Sequence, residues 1–198
     1  MAESVPTIYL ARHGETEWSL SGQHTGLSDI PLTARGERNA RQLGARLAGL
    51  EFAHVLVSPL KRARRTCDLA GFGAQAVVDP DLVEWNYGEY EGKTSAEIHR
   101  IRPDWQLFRD GCPGGESLSG VGARADRVIQ RIRGLKADVL VFSSGHILRV
   151  LGARWCGLDP GAGKCFYLST AALSAVGYEH GLDSPVVRLW NDCRHVES

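Results

Sequence analysis

The sequence predicts an α/β fold, a sandwich of helices on a mostly parallel sheet with a small inserted cap. Two observations carry this. Short apolar runs of strand length alternate with longer amphipathic stretches of helical period, the pattern of a parallel sheet covered by helices. One stretch, from Glu84 to Ser119, breaks the alternation and is rich in aromatic residues and glycine instead. The length of 198 residues admits one substantial core and is too short for two ordinary domains. We therefore expect a single domain over residues 1–198, with a cap insertion at roughly residues 85–120.

Each element has its own justification. Thr7 to Ala11 reads as a short buried strand, followed by a polar, glycine-containing loop from Arg12 to Pro31. Thr33 caps a helix in which Ala40, Leu43, Leu47 and Leu50 recur at spacings of three and four. Ala53 to Val57 is a second strand. Ser58-Pro59 then starts a helix, with proline at its first helical position, that runs to about Ala70. Val77 and Val78 mark a third strand. In the aromatic stretch, Trp85, Tyr87, Tyr90, Trp105 and Phe108 are punctuated by Gly88, Gly92, Gly111, Gly114 and Gly115. Within it, Thr94 and Glu97 have capping-box spacing for a short helix. Ser117 to Gly134 is amphipathic, with Val121, Val128, Ile129 and Ile132 apolar. Val139 to Phe142 is a strongly apolar strand, Ile147 to Trp155 a helix, and Ala172 to Tyr178 and Val186 to Trp190 the last two strands.

Composition excludes several functions. Lys+Arg and Asp+Glu are 23 each, so the formal charge is +0, against the basic excess of a nucleic-acid binder. No run of about 18 apolar residues offers a membrane span. The start, Met-Ala-Glu-Ser-Val-Pro, has no basic and then hydrophobic region of a signal peptide, which points to a cytoplasmic protein. The five cysteines, Cys67, Cys112, Cys156, Cys165 and Cys193, are scattered without the C-x-x-C spacing of a zinc or redox site, as expected of reduced thiols. Only Lys61, Lys93, Lys136 and Lys164 among the basic residues are lysine. Arginine suits bidentate phosphate binding, but codon bias explains most of this excess more simply. No histidine pair has metal-ligand spacing, and the glycines form neither G-x-G-x-x-G nor a P-loop, so no metal and no cofactor is expected.

Ligands of open α/β sheets bind beyond the carboxyl ends of the strands. Polar residues cluster at those ends: Arg12-His13-Gly14-Glu15, Ser58-Pro59 with Arg62, Ser143-Ser144-Gly145-His146, and Asn191 with Asp192. A neutral imidazole nitrogen can attack phosphorus while two guanidiniums neutralise its oxygens. The leaving alkoxide then needs a proton, and Glu84, flanked by Val83, Trp85 and Tyr87, has surroundings of the kind that favour a neutral acid. In the run Lys61-Arg62-Ala63-Arg64-Arg65, a turn of about 100° per residue puts Lys61, Arg64 and Arg65 on one side and displaces Arg62 from it. Only Arg62 is therefore assigned to the site.

These residues occur in an order that resembles the histidine phosphatase superfamily, which includes acid phosphatases and phosphoglycerate mutases. Arg-His-Gly-Glu-Thr-Glu-Trp (12–18) and His-Thr-Gly-Leu-Ser-Asp-Ile-Pro-Leu-Thr (24–33) are similar to its signature. Ser-Pro-Leu-Lys-Arg-Ala-Arg-Arg-Thr (58–66), Glu-Trp-Asn-Tyr-Gly-Glu-Tyr-Glu-Gly (84–92) and Trp-Asn-Asp-Cys-Arg-His (190–195) resemble its later motifs, from about residue 7 to 195 in all. The resemblance implies a three-layer α/β/α sandwich with a variable cap. It makes His13 the nucleophile that becomes phosphohistidine, Arg12 and Arg62 the phosphoryl clamps, and Glu84 the proton donor. It places Ser19, Gln23, His24, Thr25, Gly26, Tyr87, Gly145 and His146 at the substrate.

One position departs from the pattern. The family has a histidine before glycine at the end of the late apolar strand, and here Ser144 stands there, in Val-Phe-Ser-Ser-Gly-His-Ile-Leu-Arg (141–149). Ser144 thus takes the place of the second catalytic histidine, while His146 matches a second, non-catalytic one. A substitution introduced to trap ligand, a natural low-activity protein, and rescue by His146 are the competing explanations. The stretch Trp105 to Ser117 further resembles broad-specificity acid phosphatases and the sedoheptulose bisphosphatase group. The resemblance therefore implies a metal-independent phosphomonoesterase hydrolysing small phosphorylated metabolites, sugar phosphates favoured, with activity attenuated at Ser144. The alternatives are a phosphoglycerate mutase and a non-catalytic phospho-ligand binding protein. The expected partner is a small phosphate ester, not nucleic acid or membrane, and the zero net charge permits a homodimer.

Overall fold

The computed structural model describes residues 5–196. Four strands, β1 (Ile8–Arg12), β2 (His54–Val57), β3 (Ala76–Val78) and β4 (Val139–Ser143), run parallel; β5 (Leu173–Tyr178) and β6 (Pro185–Asp192) extend the sheet antiparallel. Their order is β3-β2-β4-β1-β5-β6. The helices are α1 (Glu17–Ser21), α2 (Ala34–Leu47), α3 (Lys61–Leu69), α4 (Ser95–Ile101), α5 (Leu107–Asp110), α6 (Leu118–Leu135) and α7 (Gly145–Trp155).

Alternation along the strands decides the layers. Ile8, Leu10, Val139, Val141 and Val176 face one way and pack against Val121, Val128 and Ile132 of α6 and Leu148 and Leu151 of α7. Ala11, Val55, Val57, Leu140, Phe142 and Leu173 face the other way, against Leu43 and Leu47 of α2 and Ala63 and Cys67 of α3. The result is the three-layer α/β/α sandwich. Every residue of β4 is buried, as its unbroken apolar run suggests for a strand covered on both faces. Between β3 and α6, Trp85, Tyr87, Tyr90, Ile98 and Trp105 join the cluster under α6 and α7. Among the described residues no helix is long and apolar enough to cross a membrane, and all five cysteines are free thiols.

Local chemistry sets the helix starts. Thr33 Oγ1 accepts from Gly36 N, Ser117 Oγ accepts from Gly120 N, and Thr94 with Glu97 closes a full capping box. Three expectations need correction. Pro59 is not the first residue of α3: Leu60 is its N-cap, and the first helical amide, Lys61 N, donates to Asp29 Oδ1 at 2.7 Å. A carboxylate from a distant loop thus starts this helix two residues later than the proline suggests. Leu50 lies beyond α2 rather than on its face, because the helix ends at Leu47 and the chain turns. The loop from Arg12 to Pro31 contains α1, held by a Thr16–Ser19 capping box and ended by Gly22 at φ 77. Five residues with none buried carry no apolar period for a sequence reading to find.

Candidate active site

The parallel topology brings the carboxyl ends of β1, β2 and β4 to one rim. Around it lies a cleft of about 70 Å³ lined by Arg12, His13, Ser19, Gln23, Thr25, Glu84, Tyr87, Gly145, His146, Arg149 and Leu168. A larger groove of about 430 Å³ lies toward the other end of the sheet, lined by residues such as Ile8, Ile132, Trp155 and Tyr178. Among the described residues its charged walls are Arg133 and Lys136, with no histidine or carboxylate, whereas the small cleft gathers His13, Glu84 and two guanidiniums.

His13 leaves β1 with its backbone pinned on both sides: its N–H donates to Ser143 O, and its carbonyl accepts from Ala171 N, each at 2.9 Å. Its ring Nδ1 lies 2.7 Å from Gly14 O. A carbonyl only accepts, so Nδ1 carries the proton and Nε2 keeps its lone pair in the neutral ring. Burial, then the charges of Arg62 and Arg12, hold the imidazole pKa well below its ordinary 6.5. The ring is therefore neutral and oriented, with an Nε2 lone pair able to act as a base or a nucleophile. Gly14 must lack a side chain, since a Cβ there would stand 2.4 Å from Gly36 O, where the loop meets the start of α2.

Two guanidiniums, Arg12 and Arg149, line the cleft, and a third, Arg62, acts on the imidazole from outside the lining. Arg12 donates to Leu168 O at 2.5 Å and packs over Gly145, where a Cβ would fall 3.2 Å from its Cζ. Its buried Nε has no protein partner. Arg149 comes from α7, donates to Gly163 O and Lys164 O at 3.0 Å each, and lies over the Phe108 ring. Arg62 is fully buried and does not line the cleft. Its fork donates to Ser28 O at 2.8 Å, Thr25 O at 3.0 Å and Gly26 O at 2.7 Å, so it clamps the 25–28 loop and adds charge behind His13. Lys61, Arg64 and Arg65 on the same helix are exposed, as the helical angle requires.

Among the described residues Glu84 is the only carboxylate lining the cleft. Its surroundings are not simply apolar, because the N-terminus of α7 supplies donors. Oε1 accepts from Trp85 N and Ile147 N, and Oε2 from His146 N, all at 2.9 Å. Glu84 thereby takes over the capping of α7. Ser144 occupies the N-cap position but makes no side-chain cap, and its buried Oγ has no partner. It lies outside the cleft lining.

The remaining residues form a wall. His146 Nδ1 lies 2.5 Å from Tyr87 Oη; burial pushes the His146 pKa well below 6.5 and the Tyr87 pKa well above 10, so both are neutral. His24 is also held below 6.5 by burial; it stacks behind Tyr87 with ring centres 4.9 Å apart, outside the cleft lining. Gln23 Nε2 donates to Gly92 O at 2.7 Å, Thr25 Oγ1 to Gln23 O at 3.2 Å, and Ser19 closes the α1 cap. Gly26 lies behind this wall, where a Cβ would meet Glu91 Oε2 at 2.5 Å and Trp85 O at 2.6 Å.

Asn191 and Asp192 do not join the cleft. They end β6, the outermost strand beyond β5, where Asn191 Oδ1 accepts from Ser169 N and Asp192 pairs with Arg46 and Arg194. The sequence reading missed Arg149, Glu91 and Leu168. Arg149 had a signal: it is one helical turn from His146, with apolar residues on either side. Glu91, which accepts from Gly26 N and Ser28 N, and Leu168, which offers only a carbonyl to Arg12, had none. Among the described residues no group of three His, Cys, Asp or Glu is placed to hold a metal ion.

A family profile described as the histidine phosphatase superfamily (branch 1) matches residues 8–193. The chain is 39% identical over 179 residues to an acid phosphatase of Mycobacterium tuberculosis, covering 88% of each. It is 37% identical over 190 residues to the sedoheptulose 1,7-bisphosphatase of Saccharomyces cerevisiae, covering 80% of this chain and 70% of that one. The solved structure of a Mycobacterium tuberculosis open reading frame superposes with a TM-score of 0.89 at 37% identity, covering 94% of this chain and 97% of that one.

Proposed function

The chain belongs to branch 1 of the histidine phosphatase superfamily, and on that premise we infer a phosphatase: a metal-independent phosphomonoesterase of small phosphorylated metabolites, sugar phosphates favoured, working through a phosphohistidine on His13. The observation that carries this reading is the locked imidazole. With Nδ1 donating to Gly14 O and the ring kept neutral, Nε2 offers its lone pair among guanidiniums. A phosphate ester entering the cleft meets Arg12 and Arg149 in the walls and the charge of Arg62 behind, while Glu84 is the only lining carboxylate. That balance favours a dianionic group.

In the first step the Nε2 lone pair forms an N–P bond as the P–O ester bond breaks, and the departing oxygen takes a proton from Glu84. Oε2 suits this, because it accepts only one backbone hydrogen bond where Oε1 accepts two. In the second step Glu84 takes a proton from water, whose oxygen attacks phosphorus and expels His13 with its lone pair restored. The Tyr87 and His146 wall, from the cap at roughly residues 85–120 and the start of α7, receives the leaving group. Free thiols agree with a cytoplasmic setting.

Ser144 lowers the rate in this reading. Its hydroxyl carries no charge and lies buried outside the cleft lining, so one charge-assisted donor to the phosphoryl oxygens is missing. Such a loss costs about two to three orders of magnitude in rate. The test is phosphate release from an aryl phosphate between about pH 5 and pH 7, comparing this chain with Ser144→His. We expect the substitution to raise turnover about 10²-fold or more. Equal rates would mean that His146 or another group has taken the role. Phosphate binding without turnover in either chain would make the protein a phospho-ligand binder instead.

A further inference from the structure

We propose that Arg124, on α6 and away from the cleft, is a positioning residue for Glu84, acting through the backbone that carries it. The proposal rests on the reading of Glu84 as proton donor. Residues 83–87 belong to neither helix nor strand, so their backbone groups need partners from elsewhere. Arg124 is only 7% exposed and uses all of its donors on this stretch and its brace. Nη1 donates to Asp81 O at 2.7 Å and Val83 O at 2.6 Å, and Nη2 to Glu84 O at 3.4 Å. The Nε and Nη2 edge grips Glu116 in a bidentate pair at 3.0 and 2.7 Å.

Glu116 in turn is built into the same segment. Its N–H donates to Asn86 O at 2.9 Å and its carbonyl accepts from Trp85 Nε1 at 2.8 Å. Ser143 Oγ, at the end of β4, closes the remaining carbonyl by donating to Leu82 O at 2.5 Å. Each carbonyl from Asp81 to Glu84 is therefore fixed to α6 or β4. The carboxylate on the far side is fixed by the α7 amides of His146 and Ile147. Glu84 is thus held at both ends, and Arg124 supplies the end that no other side chain could replace. A lysine ammonium cannot reproduce a planar fork spanning three carbonyls and a carboxylate.

The same helix provides a control. Arg127 and Arg131 continue the row of arginines, but they reach only the side chains of Asp79 and Asp81 and are 55% and 45% exposed. They brace the segment from outside without touching the carbonyls around Glu84.

The experiment uses two esters that differ in leaving-group basicity. A proton donor matters for a basic alkoxide and little for 2,4-dinitrophenolate. With Arg124→Lys we expect kcat on an alkyl phosphate to fall about 10- to 100-fold, KM to stay within about 3-fold, and the dinitrophenyl ester to lose less than about 3-fold. Arg127→Ala should leave both rates within about 2-fold. In a Glu84→Gln background, Arg124→Lys should cost nothing further. Independently of turnover, the His146 and Ile147 amides should exchange hydrogen about 10-fold faster or more in Arg124→Lys and be unchanged in Arg127→Ala. If Arg124→Lys does not fold, Glu116→Gln should show the same leaving-group-dependent loss in smaller measure. Equal losses on both esters, or unchanged exchange at those two amides, would overturn the proposal. If Glu84→Gln itself shows no leaving-group dependence, the proton-donor reading falls instead, and the exchange rates still decide whether Arg124 positions Glu84.

Discussion

At the scale of single residues, the site is made of groups whose charge is set by burial. His13, His24 and His146 are all held below the ordinary histidine pKa of 6.5, each chiefly by loss of water. Two consequences follow from that sign. Below about pH 6.5 the unfolded chain binds protons at these rings that the folded chain does not, so folding stability falls as pH drops toward the lowered values. Thermal unfolding should therefore show a midpoint that decreases from about pH 7.5 to pH 5, and His24→Gln should flatten that slope. Acidic groups do not obscure the window: Asp110, held at about 2 first by the Arg109 hydrogen bond, loses its contribution only well below pH 4. The second consequence is catalytic. Because His13 stays neutral, kcat/KM should not fall with a pKa near 6.5 on the acid side, and a limb at that value would contradict the locked-imidazole reading. That His13, Arg12, Glu84 and Tyr87 converge on one cleft was legible because they lie in ordered motifs. The clamp role of Arg62 was not, because its partners are carbonyls more than thirty residues away.

At the scale of elements, the catalytic loop depends on close backbone approach. Gly14 and Gly36 meet where the His13 loop crosses the start of α2, and a Cβ on Gly36 would stand 2.2 Å from Glu15 O. Backbone cannot yield as a flexible side chain can. Gly36→Ala should cost about 1–3 kcal/mol, read as a lower urea midpoint with an unchanged slope, and should reduce turnover by displacing His13. The Thr33 cap one turn earlier is more ordinary: Thr33→Ala should cost about 1 kcal/mol in the same measurement. Caps such as Thr33, Thr94 and Ser117 were readable because a cap is satisfied within three residues of itself. The start of α3 was misread for the opposite reason, since its first amide is capped by Asp29. The short α1 escaped because nothing in it is buried.

At the scale of the whole molecule, a chain of formal charge +0 builds a local cationic field. Acidic side chains are spent elsewhere: Asp79 and Asp81 on α6, Asp126 on Arg154, Asp192 on Arg46 and Arg194. Arg62 is buried and Arg12 and Arg149 half-buried, without a carboxylate salt-bridge partner among the described residues. Inorganic phosphate should therefore stabilise the fold, by about 2.7 kcal/mol at a hundredfold excess over its Kd, and Arg12→Ala should abolish that shift. Phosphate release should be unchanged in excess chelator; a rate that falls with chelation and returns with a divalent cation would overturn the metal-independent reading.

The sequence alone determined the α/β class, the order of strands along the chain and three of the four segments it assigned to the rim, those after β1, β2 and β4. It could do so because period, apolar runs and caps are properties of neighbouring residues. It also marked Ser144 as the odd member of an otherwise intact set. Tertiary structure decided what each polar group faces. Arg62 turns to loop carbonyls, Glu84 turns to the amides of α7, and Asn191 and Asp192 end on an outer strand. Arg124, unremarkable in sequence, becomes the hub of the Glu84 segment. Those partners lie tens of residues apart and meet only when the sheet and its helices pack, so no local rule could report them.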